Sequence, residues 1–114
     1  MSRFLAMAVA CLLAFSAHGA GNAERGKAKA AQKINNQSCA ECHGANGDMP
    51  KEKDQPILAS QYADYIVKAL SDYKSGKRVH AVMGGVAKEL SRQDIEDLAA
   101  WFSIQKSEKL HFQR

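Results

Sequence analysis

The stretch Cys39-Ala40-Glu41-Cys42-His43, followed by Gly44, decides how this chain is read. Two thiols three residues apart on one turn can add to the two vinyl groups of a haem, while the adjacent imidazole turns onto the iron from the same side. The C-x-x-C-H spacing therefore reads as c-type haem attachment, with Cys39 and Cys42 as anchors and His43 as a metal ligand. Gly44 leaves room beside the porphyrin. Other uses of the cysteine pair fit less well. A thioredoxin-like pair wants a preceding strand and an alternating strand and helix pattern, and no stretch here alternates as a strand does. A zinc site wants four ligands, and beyond these three the nearest candidates, His80 and His111, stand at no characteristic spacing. A disulfide across two residues would constrain very little chain.

The residues around the motif point to a cofactor as well. From Gly21 to Pro56 the only large apolar side chains are Ile34 and Met49, so this third of the chain cannot supply its share of a core. Small domains are already poor in buried surface. Exported ones compensate with disulfides, metals or cofactors. Only three cysteines exist, and Cys11 lies in a leader. That leader has Arg3, an uncharged apolar run from Phe4 to Phe15, and then small residues, the pattern of a cleaved secretory signal. The run is too short to span a bilayer. Cysteine 11 is followed by more apolar chain, Leu12 to Phe15, and so reads as an ordinary signal residue, not a lipid acceptor. Cleavage after Gly19 or Ala20 makes residues 1–20 the signal and 21–114 one domain of about 94 residues, located in the periplasm.

Sixteen Lys plus Arg face twelve Asp plus Glu, a formal net charge of +4 that falls to +3 once Arg3 is removed. This balance is too mild and too mixed for a nucleic-acid binder. No segment of the mature chain approaches the length of a membrane span.

Periodicity predicts three main helices and an all-α fold. Asn22 can cap a first helix running to about Lys33, with Glu24 in its first turn. Tyr62, Ile66, Ala69, Leu70 and Tyr73 recur at three and four residues after Ser60, with Gly76 past the end and Lys74 in the last turn. Ser91 and Asp94 form a capping pair for the third helix, with Leu90 and Ile95 as an apolar staple. Ile95, Leu98, Ala99 and Phe102 continue its stripe, with Trp101 at the edge. The tyrosines read as packing residues and His111 as a solvated histidine in a polar tail. Between the helices lie two irregular segments, roughly 35–60 and 77–89. Loops of that length are uncommon unless they carry function or wrap something.

At this point the chain resembles the class I c-type cytochromes, specifically the small bacterial group whose fold also occurs twice over in tandem two-haem periplasmic proteins. The resemblance runs through C-A-E-C-H-G-A-N-G, P-I-L-A-S-Q, Y-K-S-G-K-R, M-G-G and L-S-R-Q-D-I-E-D-L-A-A-W-F, in that order. It implies three main helices with long loops wrapped around one covalently attached haem c per chain. It implies Met83 as the distal iron ligand, reaching from the loop before the last helix. It gives Pro56 the carbonyl that orients His43, and puts Leu58 on the haem face. Gly26 and Ala30 are expected to meet Leu98 and Trp101 where the terminal helices cross. Ser60 departs from the pattern, which usually has Gly there.

Met83 has rivals. Met49 lies too near His43 to reach the other haem face with ease. His80, three residues before Met83, carries an imidazole, a stronger ligand for ferric iron, and an open iron site is a third option. With Met83 in place the expected function is one-electron transfer between redox partners, not catalysis. The alternatives are a haem-based sensor or peroxidase-like enzyme with a displaceable distal ligand, or a cytochrome subunit of a redox enzyme. Lys51, Lys53, Lys74, Lys77 and Arg78 are candidate docking charges for a redox partner, and the chain is expected to be a monomer.

Overall fold

Apolar side chains at helical spacing, closed off by local caps, account for the long helices of the computed structural model, which describes residues 20–107 and residue 109. The predicted signal peptide, apart from Ala20, and His111 lie outside the described residues. The elements in chain order are α1 (Ala23–Ala31), α2 (Cys39–His43), α3 (Ala63–Ser75), α4 (Ala81–Lys88) and α5 (Arg92–Ser103). Extended pairing among the described residues is confined to an isolated bridge between Ile34 and Gln37. No described helix is long and apolar enough to cross a membrane.

The three main helices are α1, α3 and α5, and their caps are those the sequence predicts. The Asn22 side chain accepts a bond from the Arg25 N–H at 2.8 Å. Gly76 closes α3 in the left-handed region at φ 83. Ser91 and Asp94 form a reciprocal capping box on α5. The two segments expected to be irregular each contain a short helix instead. In the first, Ser38 and Glu41 form a second capping box that starts α2. In the second, the His80 side chain caps α4.

Close approach of α1 to α5 organises the domain. A Cβ on Gly26 would lie 1.9 Å from the Asp97 carbonyl oxygen and 2.8 Å from the Trp101 Cβ, so only glycine allows this contact. A charged cluster sits at the same crossing. Asp97, 4% exposed, accepts from the Asn22 N–H at 2.8 Å, Arg25 Nε at 2.9 Å and Gln93 Nε2 at 2.9 Å. Hydrogen bonding from Arg25, chiefly, holds its carboxyl down at about 2, against the opposing effect of burial. The core gathers Ala30, Ile66, Leu70, Leu90, Ile95, Leu98, Ala99 and Phe102. Ala30 is the one member from the first third of the domain, as the poverty of large apolar residues there implies.

Ser60 adopts φ 66, a conformation that L residues other than Asn and Asp seldom take. Its hydroxyl donates to the Gln105 carbonyl at 2.7 Å and accepts from the Ser107 N–H at 3.0 Å. Its own N–H donates to the Phe102 carbonyl at 3.2 Å. The segment following α5 is thereby fastened across the loop that leads into α3.

Candidate cofactor site

The site begins at the turn before α2. The Ser38 hydroxyl accepts from the Glu41 N–H at 3.1 Å, and the Glu41 carboxylate accepts from the Ser38 N–H at 3.0 Å. Lys33, just after α1, pairs with Glu41 at 3.2 Å. This cap fixes the single turn that carries both cysteines. Cys39 and Cys42 are free thiols, both half-buried. Burial pushes the Cys39 thiol up to about 11. The turn ends at Gly44, whose φ of 93 suits glycine and whose missing Cβ leaves room for the Met49 backbone.

His43 is buried at 6% exposure, with Nδ1 2.8 Å from the Pro56 carbonyl oxygen. A carbonyl only accepts, so Nδ1 carries the proton and Nε2 keeps its lone pair. Burial lowers the ring's pKa below the ordinary histidine value, with the Pro56 bond opposing, so the neutral form is favoured. Neutral imidazole, oriented through its second nitrogen, is the form that binds metals. Pro56 itself is held indirectly: the Lys51 N–H bonds the Cys42 carbonyl at 2.9 Å, and the Leu58 N–H bonds the Gly47 carbonyl at 2.8 Å.

Cys39, Leu58 and Met83 are all partly buried and pack against one core cluster. Met83 lies in the first turn of α4, on a helix and not in the irregular loop expected for it. His80 is exposed, and its Nδ1 accepts the Met83 N–H at 3.2 Å. Met49 is 72% exposed and contributes nothing to the core. Among the described residues no cluster of three or more His, Cys, Asp or Glu is arranged to hold a metal ion directly. Two free thiols on one turn, an imidazole with one bare nitrogen and a thioether at the edge of the core are a donor set that fits haem c.

Some surface expectations change. Lys74 is not a free docking charge: its ammonium donates to the carbonyls of Leu90 and Lys88, because the end of α3 lies beside the end of α4. Lys51, Lys53 and Lys77 are exposed, and the Arg78 guanidinium lies 4.7 Å over the Tyr73 ring. Tyr73 is half-buried, but Tyr62 and Tyr65 are 43% and 51% exposed, since the start of α3 extends past the core. Sequence reasoning missed the Ser38 box, although S-x-x-E is a readable signature. It also missed Asn35, whose amide reaches the Gly85 carbonyl at 3.2 Å.

The family model described as cytochrome c matches residues 23–103, from the start of α1 to the end of α5. The chain belongs to the cytochrome c family. Among curated relatives, cytochrome c4 of Pseudomonas aeruginosa is 44% identical over 90 residues, covering 79% of this chain and 41% of the relative. The crystal structure of reduced recombinant cytochrome c4 from Pseudomonas stutzeri superposes with a TM-score of 0.66 at 38% identity, over 77% of this chain and 47% of that one. Cytochrome c4 of Acidithiobacillus ferrooxidans gives a TM-score of 0.65 at 33% identity, over 75% and 52%. This cytochrome thus spans about half the length of the relatives it matches, in keeping with its resemblance to one half of a tandem protein. Both structural neighbours share its helical class I fold.

Proposed function

We propose that this chain is a periplasmic mono-haem cytochrome that passes single electrons between redox proteins. On this reading residues 1–20 are removed on export and 21–114 form the domain. One haem c would be held covalently by Cys39 and Cys42 and at its iron by His43 and Met83, with Leu58 against its face. When bound, that group supplies a ferric/ferrous couple. The observation that carries the proposal is the His43–Pro56 bond: it holds a buried, neutral imidazole with one nitrogen fixed and the other bare, beside two free thiols. Met83 as a second ligand would stabilise ferrous iron relative to another imidazole and would leave no position for a substrate. Apart from His80, whose Nδ1 accepts the Met83 N–H in the α4 cap, no acid or base beside Met83 in the sequence favours the sensor or peroxidase alternative.

The ferric holoprotein should show the weak near-infrared band of sulfur ligation. Met83→Ala should abolish it and open the iron to cyanide or carbon monoxide. A low-spin spectrum that survives Met83→Ala and collapses in His80→Ala would give the distal role to His80. The partner is inferred to be acidic, met by Lys51, Lys53, Lys77 and Arg78 around a monomer. Salt at ~0.15 M screens charges beyond ~8 Å. Transfer rates should therefore fall with ionic strength, and reversing Lys77 and Arg78 to Glu should slow transfer at low salt without altering the visible spectrum. Indifference to both treatments would eliminate charge-guided docking.

A further inference from the structure

Helix α4 reads Ala81-Val82-Met83-Gly84-Gly85-Val86-Ala87-Lys88 and has little reason to be helical by itself. Consecutive glycines weaken a helix interior, and eight residues fall short of what an isolated helix needs. Burial of Val86 and Ala87 anchors its last turn. Along the rest of the helix, polar side chains add to the packing of Met83 against the core. At the start, His80 Nδ1 accepts the Met83 N–H. In the middle, the Asn35 amide donates to the Gly85 carbonyl across fifty residues of chain. At the end, the Lys74 ammonium closes on the carbonyls of Lys88 and Leu90.

Asn35 is placed for this by a tight turn. Ile34 and Gln37 exchange both backbone bonds, at 2.7 and 3.0 Å, and Asn35 and Asn36 between them take φ 52 and 65. Two successive left-handed residues are what a type I′ turn requires, and asparagine tolerates them better than most. The same turn leads directly into Ser38 and the α2 cap, and the Gln37 side-chain oxygen lies 3.9 Å from the Cys42 sulfur as its acceptor. A Cβ on Gly85 would stand 3.6 Å from Asn35 Nδ2, an ordinary contact, so the bond does not depend on glycine there. One side chain therefore joins the segment bearing the cysteines and His43 to the helix bearing Met83, while α2 and α4 make no direct helix–helix contact.

We propose that Asn35, assisted by His80, is a positioning residue for the distal ligand: its amide tethers α4 to the α1–α2 turn and so keeps the Met83 sulfur on the iron. This rests on the assignment of Met83 as the distal ligand. The tether sets how often α4 lifts away locally, an opening that need not unfold the rest of the domain.

The test uses the ferric holoprotein and three variants. Asn35→Asp keeps the shape and the left-handed turn but presents an acceptor to the Gly85 carbonyl. Asn36→Asp makes the same chemical change one residue on, without touching α4. His80→Asn retains a capping side chain that His80→Ala removes. Loss of one hydrogen bond should raise the open population, and with it the cyanide-binding rate, roughly three- to tenfold in Asn35→Asp and in His80→Ala. The near-infrared sulfur band should fade at lower temperature in both, with the visible spectrum and global melting little changed. Asn36→Asp and His80→Asn should match wild type. Wild-type cyanide rates and band stability in Asn35→Asp would overturn the tether. Amide hydrogen exchange along α4 separates this from a mistaken ligand. If the band is absent from wild type or survives Met83→Ala, the ligand assignment fails, and unchanged α4 exchange in Asn35→Asp would still refute the tether by itself. Should Asn35→Asp fail to fold, Asn35→Gly keeps the turn without the amide and gives the same readouts.

Discussion

At the α1–α5 crossing two backbones come so close that Gly26 admits no Cβ, and Asp97 gathers donors from both helices. Across the molecule, α2 and α4 carry the thiols, the imidazole and the thioether, yet they make no direct helix–helix contact and are joined through side chains, Asn35 to Gly85 being one. The first region is closed by the polypeptide alone. In the second, α2 puts no residue into the core cluster and α4 buries only Val86 and Ala87, in its last turn. A protein with these two halves can hold its terminal helices rigidly while leaving the completion of its other side to a bound group.

The largest effect should come from denying the second half that group. Cys39→Ala with Cys42→Ala should abolish covalent haem, give no haemochrome signal, and replace the cooperative melt by a broad, shallow loss of circular dichroism. A cooperative, haem-free double variant would dissolve the distinction between the halves. Next comes the crossing itself. Gly26→Ala forces a methyl group into the Asp97 carbonyl and should cost roughly 3 kcal/mol in denaturant unfolding of the holoprotein. A loss below ~1 kcal/mol would mean that the helices part easily.

The smallest of the three sharpens the contrast by pH. Asp97 has its pKa at about 2 in the folded protein, below its ordinary value of 3.8. A depressed carboxylate stabilises the fold above its unfolded pKa, and the contribution disappears as pH falls through 4 towards 2. Asp97→Asn should lower stability by roughly 2 kcal/mol at neutral pH and flatten the acid limb of the stability curve in that window. An acid limb identical to wild type would place the acid-sensitive group elsewhere.

What the sequence disclosed was local. The caps at Asn22 and Ser91 and the left-handed Gly76 depend on neighbours within a turn, so spacing reveals them. The contact of Pro56 with His43 comes from family resemblance, because nothing in the twelve residues of intervening loop dictates where that carbonyl points. Asn35 on Gly85, Lys74 on Leu90 and Asp97 on Asn22 join residues far apart in the chain, and no periodicity encodes them. The sequence predicts loop where α4 forms, since consecutive glycines weaken a helix, and tertiary tethers override that preference. Tyr62 and Tyr65 kept the right period, but the helix outruns the surface it packs on. The Ser38 box is legible as S-x-x-E but is interwoven with the cysteines and histidine of the C-x-x-C-H motif, whose chemistry is the stronger signal.

The turn at Ser60 constrains substitution more narrowly than its modest burial suggests. Glycine suits the left-handed backbone but has no oxygen for Gln105 and Ser107. Threonine has the oxygen but adds a branch at Cβ, which the positive φ penalises. Alanine fails on both counts, and asparagine accepts the backbone while placing its oxygen one atom farther out. Serine bears the conformational cost of the positive φ and returns two hydrogen bonds that glycine cannot make, so a position with no part in redox chemistry carries its own filter on mutation.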